Sequence, residues 1–193
     1  MPGTTQIRNE LLDRGRTDML QLGVVVSVVA RHLGRSMEDE LVMESTIEEI
    51  RDLLESGYVV AGYTARDGDG LLYVSSWEIP PADAVKRIEA DWMELGRLPK
   101  PGEVVWLELT DVGRAKIESI RTLDPDEKGL VEDVIARRCP EMRERVTVVG
   151  QGKLNWKERE AIHRALAAEL SGIDQDEAYA QQLTALIDRA LVL

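Results

Sequence analysis

The residues most able to do chemistry lie in "SMEDELVMESTIEEIRDLLESG", residues 36–57. Eight carboxylates fall there: Glu38, Asp39, Glu40, Glu44, Glu48, Glu49, Asp52 and Glu55, with Arg51 as the one base. Carboxylates at helical spacing can work as an acid–base pair, can face Lys and Arg on a basic protein, or can be a solvated surface. The remaining candidates are weaker. The two histidines, His32 and His163, each fall on a predicted helix without a second His at ligand spacing, which points to packing or surface roles. "VVGQGK", 148–153, places two glycines and a lysine after a strand-like run, but its spacing is not that of a phosphate loop and no Ser or Thr follows the lysine. "DGDG", 67–70, lacks the ligand spacing and terminal Glu of a calcium loop and reads as a hairpin turn. Cys139, the only cysteine, can form neither an internal disulfide nor a multi-cysteine zinc site. The expectation is a chain that is not an enzyme, with no catalytic residue, no metal site and no cofactor.

Composition narrows the partners. The chain has 193 residues, 44% of them apolar and 31% charged, as in a folded globular protein. Phe is absent, so four Trp and four Tyr supply the aromatic packing. The formal charge is −12. Residues 1–122 hold 14 Lys/Arg against 22 Asp/Glu, a net of −8, and residues 123–193 hold 10 against 14, a net of −4. Neither part has the basic balance that phosphate contacts require, whereas an acidic surface suits a basic protein partner. The start, "MPGTTQIRNELLDRG", lacks the layout of a signal peptide. "LGVVVSVVA" is too short to span a bilayer. A cytoplasmic protein without membrane attachment is expected.

The elements that must position the acids follow from periodicity and punctuation. A helix is predicted over 7–16, then a polar break over 13–18. "MLQLGVVVSVVARHLG" reads as a buried helix stopped by Gly34. Ser36 is the expected cap of the acidic helix, whose buried stripe is Met43, Ile47, Ile50 and Leu54; Ser45 with Glu48 could cap a second start and break it in two. "YVVAGYTA" and "LLYVSSW" flank the Asp-Gly turn as a hairpin over 58–77. Pro80-Pro81 opens a helix with Val85, Ile88, Trp92 and Leu95 on one face. "EVVWLEL" is a strand, and "TDVGRAKIESI" a helix begun by a Thr or Asp cap. After a boundary at "LDPDEKG", the spacing predicts a helix to about Arg138, a short strand over 145–150, a helix capped by Asn155 with Glu158, and a last helix over about 176–192. The fold class expected is α+β, mostly helical, in two parts: 1–122, and a small helical unit, 123–193, with one short strand.

The order of elements over 18–121 resembles a winged helix. "VWLELTDVGRAKIESI" resembles the wing-to-last-helix end of bacterial winged-helix regulators, on Leu109, Thr110 and Gly113, and "IRDLLESGYVV" resembles the helix that enters the wing. The helix at 81–95 departs from that pattern as an insertion. The chain is also similar to a group of uncharacterised actinobacterial proteins through "LLDRGRTDML", "ELGR", "PGEVVWLELTDVGR" and "VVGQGKLNWKEREAIHRALAAEL", a likeness that carries no chemistry. The regulator resemblance implies a winged-helix-like N-terminal unit with an inserted helix and DNA binding through the second helix of the pair. The residues of 36–57 oppose this, since phosphates and base edges are met chiefly by Lys, Arg, Asn and Gln. The favoured expectation is a non-enzymatic acidic protein-interaction module on that scaffold, of which an immunity or antitoxin-type protein binding a basic partner is one version. Its partner-binding residues would be Glu38, Glu44, Glu48 and Glu55. The alternative is a winged-helix DNA-binding transcriptional regulator using other cations: Arg8, Arg14, Arg16, "RLPK", Arg137, Arg138, Arg143 and Arg145. A homodimer is a further expectation, to be marked by exposed Leu or Trp on the last two helices.

Overall fold

The computed structural model describes residues 4–70, 72–142, 154–172 and 177–190. The fold is α+β and mostly helical, with one four-stranded antiparallel sheet. It divides into two compact units, Met1–Ile117 and Glu118–Leu193, where the sequence placed the division at 122/123.

In the first unit, α1 (Thr4–Thr17) runs through the polar stretch expected to break it, because Ile7, Leu11 and Leu12 are all buried on one side. The two residues Leu20–Gln21 form β1, which sequence periodicity had assigned to the following helix. They pair with the last strand of the unit, Leu20 opposite Leu107 and Gln21 opposite Trp106. That long-range pairing overrides helical spacing. α2 (Leu22–Leu33) buries Leu22, Val25, Val26, Val28, Val29 and Ala30, nearly its whole circumference. Gly34 ends it at φ 64°, donating to the Ala30 and Arg31 carbonyls in the left-handed conformation that glycine adopts without steric cost.

α3 (Glu40–Glu55) is one unbroken helix, so the capping box at Ser45 is not used as a second start. Its cap is Asp39, not Ser36: the Asp39 carboxylate accepts from Leu41 N at 3.0 Å. A carboxylate there also favours the positive end of the helix dipole. β2 (Val59–Arg66) and β3 (Leu72–Ser76) form the expected hairpin. In its turn Asp67 Oδ1 accepts from Asp69 N, and Gly70 adopts φ 81°. α4 (Pro81–Leu95) follows with proline in its first turn, then β4 (Trp106–Leu109) and α5 (Asp111–Arg121). The sheet order is β1-β4-β2-β3, with β4 antiparallel to both β1 and β2. The hairpin strand β3 and helix α4 are therefore interposed between two strands, β2 and β4, that are neighbours in the sheet.

The second unit holds α6 (Pro125–Arg138), a short 3₁₀ turn (Pro140–Met142), α7 (Trp156–Leu170) and α8 (Glu177–Arg189). Asp124 with Glu127, and Asn155 with Glu158, make reciprocal capping boxes. Val131, Val134, Ile135, Ile162, Leu166, Leu183 and Leu186 form its own core. Arg189 closes it, pairing with Glu127 at 2.6 Å and donating to the Ile120 and Thr122 carbonyls. The strand expected at 145–150, and Arg143 and Arg145, lie outside the described residues.

Candidate functional site

The acids of 36–57 do not form one face. Glu49 is 2% exposed and faces Arg8 of α1, whose Nε lies 3.8 Å from Glu49 Oε2. Burial pushes the Glu49 carboxyl up to about 7, against the lowering effect of the Arg8 charge. Asp52 pairs with the same arginine, and Asp39 pairs with Arg35 at 2.9 Å. Arg51 is thus not the only cation set against this helix. Glu38, Glu40, Glu44, Glu48 and Glu55 remain exposed.

α4 decides what those acids surround. Val85, Ile88 and Trp92 are buried, and Leu95 is half-buried. The Trp92 indole donates to the Arg97 carbonyl at 3.2 Å, and Arg97 grips Glu103 with two bonds of 2.7 and 2.8 Å. Midway along the helix, the Arg87 guanidinium lies 4.2 Å from the Trp77 ring centroid and 5.3 Å from that of Tyr63, and donates to the Tyr63 hydroxyl at 2.9 Å. Such cation–aromatic stacking fixes orientation as well as adding energy. The inserted helix is fastened at its middle and at its C-terminal end, and packs against α3.

Between α3 and α4 lies a groove of about 300 Å³. Met43, Ile47, Trp92 and Met93 supply its apolar surface, and Met93 is 59% exposed. Glu40, Glu44 and Glu48 follow one another at four-residue spacing along the α3 side, Glu89 stands on the α4 side, and Arg51 lies toward one end. Of the four acids expected to bind a partner, Glu44 and Glu48 line this groove. Glu38 is exposed in the turn before α3, Glu55 is the exposed last residue of the helix, and neither lines it. Glu40 and Glu89 were missed. Glu40 continues the spacing of Glu44 and Glu48, and Glu89 sits three residues before Trp92 at the edge of the apolar face, so both were available to a helical projection of the sequence.

Six of the cations proposed for DNA binding, Arg8, Arg14, Arg16, Arg97, Arg137 and Arg138, are engaged in ion pairs. Arg8 holds Asp52, Arg14 holds Glu10 at 2.8 Å, Arg97 holds Glu103, and Arg137 and Arg138 both hold Glu169 at 2.8 Å. Burial acts to raise the Glu10 carboxyl, but hydrogen bonds from His32, Arg31 and Arg14 outweigh it and hold the group at about 2. His32 Nε2 lies 2.9 Å from Glu10 Oε2, so this histidine fastens α2 to α1. A second groove, about 280 Å³, runs past Val24, Val26, Met37, Leu98 and Pro99 and carries no titratable side chain. Among the described residues no three His, Cys, Asp or Glu side chains gather as metal ligands, and no helix is long and apolar enough to cross a membrane. The large exposed apolar side chains among them lie in the first unit.

Comparison of the chain with protein-family models, with curated proteins and with solved structures returned no match.

Proposed function

We propose that this chain is a non-enzymatic interaction module that captures a basic protein partner in the cytoplasm through the groove between α3 and α4. One observation carries this reading: a groove whose apolar floor is open chiefly at Met93 and Met43, bordered by the exposed glutamates Glu40, Glu44 and Glu48 on one side and by the half-buried Glu89 on the other. Apolar burial supplies affinity at the centre of an interface, and charges on its rim supply steering and selectivity. An immunity or antitoxin-type protein that masks a basic toxin is one concrete form of this module. The test is capture from the native lysate by the tagged chain, with and without nuclease, eluted by a salt gradient. A stoichiometric basic protein is expected to elute with salt, and replacing Glu40, Glu44, Glu48 and Glu89 with Gln is expected to abolish its retention. Retention unchanged by these replacements would rule the groove out.

The second reading is a winged-helix DNA-binding regulator. The helix–strand–helix–helix order with β4 between β1 and β2 favours it. Against it stand the exposed acids of α3, the packing of α4 on that helix, and the ion pairing of six of the candidate cations. Salt-sensitive retention of nucleic acid, lost on nuclease treatment, would restore it.

A further inference from the structure

Resting on the groove reading above, we infer that the occupant is a basic amphipathic helix, seated with its apolar stripe on Met43, Ile47, Trp92 and Met93 and its Lys and Arg residues against the two acidic borders. The groove's lining residues on α3 run from Glu40 to Arg51. At ~1.5 Å per residue that is ~16 Å, about three helical turns. A helix laid along it presents side chains at i, i+3, i+4 and i+7 to the floor, and its flanking positions meet the borders. Glu40, Glu44 and Glu48 recur at four-residue spacing, so a partner helix lying alongside can match them with cations at the same spacing. The floor has the adaptability such binding requires: two of its four side chains are methionines, which repack around differently shaped apolar groups.

Other occupants fit less well. Phosphate backbones and anionic membrane surfaces carry the same sign as the borders. A second copy of the chain brings a formal charge of −12 to a site that already bears four glutamates. An extended basic segment satisfies the acids but has no continuous apolar stripe to set on Met43 and Met93, the floor's accessible side chains.

The test uses the full chain and three synthetic peptides of about fifteen residues, long enough to cover the three turns above. One has leucines at i, i+3, i+4 and i+7 and lysines on both flanks. The second has the same composition with the leucines spread around the helix. The third replaces the lysines of the first with glutamate. Titration is followed by tryptophan fluorescence and by calorimetry. The first peptide is expected to bind about ten-fold tighter than the second, a difference within the reach of one well-filled apolar pocket, and the third is expected not to bind. Met93→Ser, at an exposed position, is expected to weaken the first peptide about three-fold and to leave the second unchanged. Glu44→Gln with Glu48→Gln is expected to weaken both lysine peptides and to flatten their salt dependence. Equal binding of the first two peptides, with no effect of Met93→Ser, would overturn the helix while leaving the basic-partner reading standing. Binding by neither lysine peptide would overturn the helix too, and the lysate capture described above then decides the broader reading separately. Sedimentation showing a dimer that Met93→Ser disrupts would assign the groove to a second copy and overturn both.

Discussion

Burial works on Glu10 and Glu49 in the same sense, against the charged carboxylate, yet the two end on opposite sides of the ordinary value. Glu10 receives hydrogen bonds from Arg14, Arg31 and His32 and is held at about 2. Glu49 has one arginine at 3.8 Å, Glu48 and Asp52 raise it further, and its Oε2 accepts no hydrogen bond among the described residues, so it stands at about 7. The pH dependence of stability therefore has two separate windows. Between about pH 4.5 and 2 the unfolded chain binds the proton at this position more readily than Glu10 does in the fold, so stability is lost as pH falls. Between about pH 4.5 and 7 the folded chain holds the proton on Glu49 that the unfolded chain has released, so stability falls as pH rises. Glu49→Gln is expected to raise stability by roughly 2 kcal/mol at pH 8 and by little at pH 5. Glu10→Gln is expected to cost about 2 kcal/mol at pH 7, with the cost shrinking toward pH 2. Denaturant melts across these pH values check both, and a Glu49→Gln gain that is equal at pH 5 and pH 8 would contradict the placement of its titration.

At the scale of elements, the junction from β4 into α5 shows how a short sequence signal becomes geometry. Thr110 Oγ1 donates to the Gly57 carbonyl at 2.6 Å and accepts from Gly113 N at 3.1 Å, so one hydroxyl caps α5 and ties it to the end of α3. A Cβ added at Gly113 would lie 2.2 Å from the Tyr58 carbonyl oxygen and 2.8 Å from a Leu109 methyl. Ala in place of Gly inside a helix ordinarily stabilises by about 1 kcal/mol. At Gly113 the sign is expected to reverse, with a loss of about 2 kcal/mol or more as α5 is forced away from Tyr58 and Leu109; thermal or urea melts of Gly113→Ala measure it. The cap at Thr110 was legible in the sequence because its bond to Gly113 N is local, whereas its bond to the Gly57 carbonyl and the approach of Gly113 to Tyr58 join residues far apart in the chain and were not. Caps at Asn155 and the Asp-Gly hairpin were legible on the same grounds. What could not be read was set by partners distant in the chain. β1 is two residues whose strand state exists only because β4 lies beside them. Ser36 and Asp39 both suit a cap, and the choice falls to Asp39, which is also paired with Arg35. Glu49 looks like its acidic neighbours until α1 brings Arg8 over it. The groove itself needed α4 to be laid on α3, which no spacing within either helix specifies.

Considered whole, the chain puts its acidic groove and its second apolar core in different units. Its −12 includes the groove's acidic borders, whereas the second unit has a closed apolar core of its own, with capped helices and Arg189 fastening its N-terminal segment to α8. Every residue lining the acidic groove belongs to the first unit. The large exposed apolar side chains recorded among the described residues, Met93 included, belong to the first unit. The division of labour this implies can be separated by substitution. Leu166 is fully buried within the second unit's core, and Leu166→Ala is expected to cost about 2–5 kcal/mol through lost burial and the cavity left behind. The same variant, measured well below its melting temperature, is expected to bind the lysine-flanked amphipathic peptide with unchanged affinity and unchanged salt dependence. The reciprocal variant, Glu44→Gln with Glu48→Gln, changes only exposed positions and is expected to leave the unfolding free energy within about 0.5 kcal/mol of the parent chain while weakening peptide binding. Loss of peptide affinity in Leu166→Ala, at a temperature where the variant is folded, would mean that the second unit takes part in recognition and that the groove lined by α3 and α4 is not sufficient for it.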